Sequence, residues 1–356
     1  MSQRALSRGR SQQLSSSSHG LLGVGLASLA FLACTPSGPD VLALQGETMG
    51  STWSVKVVLE ESDDHELQRA AVEAAILSQL DLVDRTMSTY RDDSDISRLN
   101  DALGGVPVPV PPALLEVLLL SQRVSEGTDG AFDVTVGPLV EAWGFGPTSG
   151  APLPPSDDVL EELRPRIGYH LVRIDPATAT VIKARTDVAI DLNAVAPGYA
   201  VDRIAAELER LGLGRHLIDV GGEIRGAGLN ADGVPWRIAI ERPQTSRAAH
   251  RVVPLRDASL ATSGDYRNFY VHEGRRFSHE IDPRTLRPVT HGLASVTVVH
   301  PSAAEADALA TALIVLGPDA ALELAERRNL PVLLLVLLDD GGIEERQSRA
   351  MRALLG

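Results

Sequence analysis

Residues 278–313, SHEIDPRTLRPVTHGLASVTVVHPSAAEADALATAL, decide how the rest of the chain is read. The valine-rich run 294–299 has the alternation of a strand, and a helix signal follows it. Ser302 with Glu305 three residues later is a capping-box signature, so a helix is predicted from near Ala303 to near Gly317-Pro318. On that helix Asp307 and Thr311 are four apart and share a face with Ala303, Ala304, Ala310 and Ile314. Leu309, Leu313 and Leu316 cover the other side, so the helix is expected to be buried all round. Polar groups in such a helix cost free energy unless they are paired or functional. Two readings stand at this point. An oxygen pair suits a hard metal ion or a phosphate. Alternatively Thr311 bonds back to the helix backbone and Asp307 meets an arginine.

Outward from this segment, the other elements are legible in outline. Residues 55–59 read as a strand, 64–87 and 111–126 as helices, and 151–168 as a looser helix. Stretches 171–174, 188–192 and 236–240 read as further strands, and the apolar run 330–338 as a buried one. Helices alternate irregularly with strands and no internal repeat is visible. The expected fold is therefore α+β, with mixed, mainly antiparallel sheets and flanking helices.

Composition bounds the function. The 356 residues are 44 % hydrophobic and 22 % charged, which is globular, and the net charge of −14 offers no basic stripe for nucleic acid. Of the 33 basic residues only Lys56 and Lys183 are lysines. Arg4, Arg8 and Arg10 precede the apolar run 20–33, which is too short to span a bilayer and reads as an export signal over 1–33. The single cysteine, Cys34, directly follows Leu-Ala, excludes an intramolecular disulfide and resembles a bacterial lipoprotein processing site. An ordinary signal peptide cut nearby is the alternative. Residues 34–45 are then the tether, which begins rich in Pro, Gly and Ser and runs into the first strand, and 46–356 the expected catalytic domain.

Several chemistries are absent: no H-E-x-x-H, Walker loop, G-x-S-x-G or G-x-G-x-x-G occurs. What remains is a set of polar clusters set in glycine and small residues. They are MGSTW (49–53), MSTYRDDSDISRLN (87–100), GAFDVTVGPLVEAWGFG (130–146), DLNAVAPGYAVD (191–202), VGGEIRG (220–226), ATSGDYRN (261–268) and SHEIDPRT (278–285). The DLNAVAPGYAVD segment reads as a strand passing through a Pro-Gly break into a helix near Tyr199.

In this order these segments resemble the hallmarks of the ApbE family, the FAD:protein FMN transferases, from about Gly46 to about Gly317. The resemblance implies the family's flavin transferase fold and a reaction. FAD, the substrate, is split at its pyrophosphate with a divalent cation, normally Mg²⁺. FMN passes to a threonine hydroxyl of a target flavoprotein as a phosphoester, and AMP leaves. By the same resemblance Asp307 and Thr311 match the metal-binding pair, and Ala194 a backbone carbonyl ligand. Met49, Tyr90, Ala131, Phe132, Asp133, Asp191 and Ile281 match FAD-binding positions, with Met49 and Tyr90 bordering a flat ring. Thr262, Ser263 and Arg267 are candidates for phosphate contact. His279 matches the histidine of the SHIIDP-type motif and is the candidate base for the acceptor threonine, since imidazole titrates near operating pH. A loop histidine bonded to backbone is the alternative. Asp282 is expected to hold its turn with Arg284.

One departure stands out. The family segment often reads A-K-G-Y-A-V-D, whereas here Pro197 replaces the lysine and removes both an ammonium and a backbone N–H. Contact of that lysine with FAD is therefore missing. Two other functions stay open: an FAD pyrophosphatase giving FMN and AMP, and a flavin-binding lipoprotein without turnover. Export with a lipid anchor at Cys34 implies work on the periplasmic side of a bacterial membrane.

Overall fold

Eight strands, each antiparallel to its neighbour, form one sheet in which spatial order follows chain order. They are β1 (Val41–Thr48), β2 (Ser51–Val58), β3 (His216–Val220), β4 (Glu223–Ala227), β5 (Ala258–Gly264), β6 (Leu293–His300), β7 (Val332–Leu337) and β8 (Ile343–Gln347). The computed structural model describes residues 39–59, 65–146, 152–243, 248–266 and 268–356. The expected export segment 1–33, Cys34 and Arg267 lie outside the described residues. The α+β expectation, mainly antiparallel, holds.

Four insertions in this meander supply what surrounds the sheet. Between β2 and β3 come α1 (His65–Met87), α2 (Pro112–Gly127), a small three-stranded sheet and α3 (Ala196–Arg210). Between β4 and β5 lies the hairpin Trp236–Glu241/Ala249–Leu255, and between β5 and β6 the hairpin Phe269–His272/Arg275–Ser278. The β6–β7 connection carries α4 (Ala303–Leu316) and α5 (Pro318–Arg327).

The sheet is covered on both faces, which explains its continuous apolar strands. In β7, Val332, Leu334 and Val336 enter the core shared with α1 to α5, while Leu333 and Leu335 enter a second core with Trp236, Val253 and Met351. Side chains alternate across a strand, so a run buried on both sides reads Leu-Leu-Leu rather than apolar-polar.

Two expectations need correction. Residues 188–192 are not a strand. Their would-be ladder is replaced by one side chain: Asn100 Nδ2 donates to the Ile190 carbonyl at 2.9 Å and Ile190 N donates to Asn100 Oδ1 at 2.8 Å. The following helix begins at Ala196 rather than near Tyr199, because Pro197, whose fixed φ and missing N–H suit a first turn, lies inside it. Strand β1 starts at Val41, where it pairs with Val58, so 41–45 belong to the sheet.

Candidate active site

The site is built around α4. Ser302 Oγ accepts from Glu305 N at 3.2 Å, as the capping signature predicts. The reciprocal bond of the box is not made. Glu305 instead pairs with His300 and Arg123, and Asp202 on α3 takes the free N–H groups of Ala303 and Ala304 at 2.8 and 3.0 Å. Helix α3 is thereby fixed to the start of α4. The two backbones touch: a Cβ on Gly198 would lie 2.5 Å from the Ala303 carbonyl oxygen, so only glycine fits there.

That close approach places the polar pair. Gly198 N donates to Asp307 Oδ2 at 3.2 Å, and Asp307 is 6 % exposed. Thr311 Oγ1 lies 3.3 Å from Ser263 Oγ on β5. Neither half of the structural alternative is realised among the described residues: Thr311 makes no bond to its helix backbone and Asp307 meets no arginine. Its charged neighbour is Glu223, on β4. Burial pushes the Asp307 carboxyl up to about 7, and burial together with the Asp307 charge pushes Glu223 well above the carboxylate range.

Asp307 and Thr311 open onto a cleft of about 420 Å³, a size usual for small-molecule sites. Ala131, Phe132, Asp133, Asp191, Ala194, Thr262, Ser263, His279 and Ile281 line the same cleft. Sequence positions spread over 130–315 therefore converge on one wall-to-wall space. Asp133 and Asp191 are already engaged. Asp133 accepts from Thr135 N, Thr135 Oγ1 and Tyr169 N at 2.7 to 2.8 Å, and Asp191 from Asn193 N at 2.8 Å. Burial pushes both carboxyls up, and these bonds pull in the opposite direction.

Met49 and Tyr90 do not line the cleft. Met49 and Gly50, both at positive φ, form the tip of the β1–β2 hairpin, and Met49 faces a shallow groove beside Leu77 and Leu80 of α1. Tyr90 is 69 % exposed. Asp282 holds its turn with Arg284 as expected, its Oδ1 accepting from Arg284 N and Nε at 2.9 and 2.8 Å.

Other lining residues were not singled out by their sequence. Phe145 lines the cleft edge-on to His279, and it is backed by Tyr270, tilted against it at 5.3 Å and stacked in turn on Phe277 at 5.2 Å. Asn193, Asn268 and Glu280 also line it. Glu280 carried a visible signal, a carboxylate directly after the motif histidine. Asn268 carried none, because its contribution is a backbone carbonyl.

A family model of the ApbE family matches residues 49–334. The chain belongs to the ApbE family. Among its ApbE relatives, the FAD:protein FMN transferase of Haemophilus influenzae is 40 % identical over 335 residues, 92 % of this chain and 95 % of the relative. That of Escherichia coli K12 is 38 % identical over 319 residues, 87 % of this chain and 90 % of the relative. Among solved ApbE structures, the flavin transferase of Vibrio cholerae is similar with a TM-score of 0.81 at 37 % identity, covering 89 % of this chain and 100 % of that one. The apo flavinyl transferase of Pseudomonas stutzeri gives 0.82 at 37 % identity, covering 90 % and 98 %.

The donor set fits a hard divalent cation. Asp307, Thr311, Ser263 and Ala194 present only oxygens suited to such an ion, next to buried carboxyls with no cationic partner among the described residues. Among the described residues no group of three or more His, Cys, Asp or Glu could hold a metal by itself. An ion here would draw its remaining ligands from water and phosphate, which is the habit of Mg²⁺ rather than of Zn²⁺.

Proposed function

We propose that this chain transfers FMN from FAD to a threonine hydroxyl of an acceptor protein, with AMP leaving, and that Mg²⁺ is held by Asp307, Thr311 and the Ala194 carbonyl. One observation carries the reading. His279 and the Asp307–Thr311 pair, from separate elements, line one cleft. The bound cation would neutralise charge on the pyrophosphate as its P–O bond breaks.

The chain's own residues do the rest. His279 Nδ1 lies 3.0 Å from the Asn268 carbonyl. A carbonyl can only accept, so Nδ1 carries the proton and Nε2 is the basic atom. Nε2 takes the proton of the acceptor hydroxyl as its oxygen bonds to the FMN phosphorus, and AMP departs with the bridging oxygen. Thr262 and Ser263 offer hydroxyls to the phosphates from β5. Ala131, Phe132 and Ile281 supply apolar surface, and Asp133 and Asp191 keep lone pairs free for ribose or ring donors. Met49 and Tyr90 contact FAD only if it extends beyond the cleft towards the β1–β2 hairpin. The 1–33 segment and Cys34 support an exported, lipid-anchored enzyme on the periplasmic side.

With FAD, Mg²⁺ and a threonine-bearing acceptor, the purified protein should leave a covalent fluorescent band on a denaturing gel. His279→Ala should weaken the band far more than it weakens FAD binding. No band with a competent acceptor contradicts the reading, and AMP with free FMN in the absence of acceptor points to hydrolysis instead.

A further inference from the structure

Glu280 is a buried acid with no structural task that its side chain explains. Its backbone is used: Glu280 N donates to Ser278 Oγ at 3.1 Å and its carbonyl accepts from Val289 N at 2.9 Å. Its carboxylate makes one ion pair among the described residues, with His279, whose Nε2 lies 3.4 Å from Oε1. The Glu280 side chain is 10 % exposed and that of His279 31 %, so the acid is the more buried of two neighbours that both line the cleft.

The two contacts of His279 divide its nitrogens. Nδ1 and the backbone N–H both point at the Asn268 carbonyl, at 3.0 and 3.2 Å, which fixes the ring from one side. Nε2 is the nitrogen beside Glu280, and both residues line the cleft. At 3.4 Å the carboxylate is too far to hold Nε2 in a good hydrogen bond, yet near enough to attract a proton that Nε2 has accepted. Among the described residues, Asp265 is the other charged group that acts on Glu280, and its carboxylate is held by Arg276 at 2.6 Å. Asp133, Asp191 and Asp307 line the same cleft as the pair. Burial pushes the Glu280 carboxyl up, the His279 charge pulls it down and Asp265 pushes it up. Glu280 is thus the nearest acid to His279.

We propose that Glu280 is a positioning residue for His279: its carboxylate stabilises the positive charge that Nε2 acquires when it takes the acceptor hydroxyl's proton. The inference rests on the transfer reading above. A catalytic triad sets its carboxylate on the nitrogen opposite the basic one; here the backbone carbonyl of Asn268 takes that place and Glu280 lies beside the basic nitrogen itself.

Glu280→Gln keeps the shape and removes the charge. Its transfer rate at saturating FAD should fall by about a hundredfold, the lower end of what positioned proton transfer contributes, with the KM for FAD unchanged. The acid limb of its pH profile should move to lower pH, because the imidazolium loses its counter-charge. Glu280→Asp, which keeps the charge, should retain the parent profile. In a His279→Ala background Glu280→Gln should cause no additional loss. Equal losses in both backgrounds, or a profile displaced alike in the Gln and Asp variants, would overturn the proposal. Full transfer by His279→Ala would remove the base and this inference with it. Loss there, together with full activity and an unmoved profile in Glu280→Gln, would remove the Glu280 contribution alone.

Discussion

Asp307 shows what burial does to a single carboxyl. Its ordinary value of 3.8 is raised to about 7 by desolvation, with only the Gly198 N–H opposing. A carboxyl raised in the folded state binds its proton more tightly there than in the unfolded chain. Its contribution to stability is therefore fully present below about 3.8 and is lost as pH rises through about 7, and Glu223 acts in the same direction. A divalent cation held by Asp307, as proposed, would compete with that proton. Mg²⁺ should raise the melting temperature clearly at about pH 8 and much less near pH 5.5, and Asp307→Asn should abolish the difference. A melting temperature indifferent to Mg²⁺ at the higher pH would contradict the metal assignment.

Among the elements, the α3–α4 contact does the positioning. A methyl at Gly198 would meet the Ala303 carbonyl oxygen at 2.5 Å and its carbon at 2.7 Å, backbone atoms that cannot swing aside. Gly198→Ala should destabilise by about 1–3 kcal/mol, read from urea unfolding, and should lower transfer by moving the N–H that holds Asp307. Stability and activity both at parental levels would mean the helices can separate freely. How far the sequence reveals such elements depends on the range of the interaction. The Ser302 cap, the Asp307–Thr311 face and the Asp282–Arg284 turn are local, and each was legible. The Asn100 amide that substitutes for a strand at Ile190, and Asp202 capping α4, act across 90 and about 100 residues, so no spacing announces them. Pro197 was legible as a departure, and its effect on the helix start was misplaced by three residues because a proline was read as a break instead of a first turn.

For the whole molecule, the meander supplies one rigid sheet and its insertions supply the chemistry. The β2–β3 insertion brings Ala131 to Asp133, Asp191 and Ala194; the β5–β6 insertion brings His279 and Ile281; and the β6–β7 connection brings Asp307 and Thr311. Sequence resemblance placed these residues in one site, and the cleft gathers all of them except Met49, Tyr90 and the undescribed Arg267. In the proposed function the gathered set would supply an ion site, a base and an apolar wall, which is what group transfer from a pyrophosphate requires. The most direct test is to incubate the protein with FAD, Mg²⁺ and an acceptor protein and measure both products by mass spectrometry. The account predicts one AMP released for each FMN bound through phosphate to an acceptor threonine, and neither product with Asp307→Ala. AMP and free FMN with an unmodified acceptor, or undiminished transfer by Asp307→Ala, would contradict it.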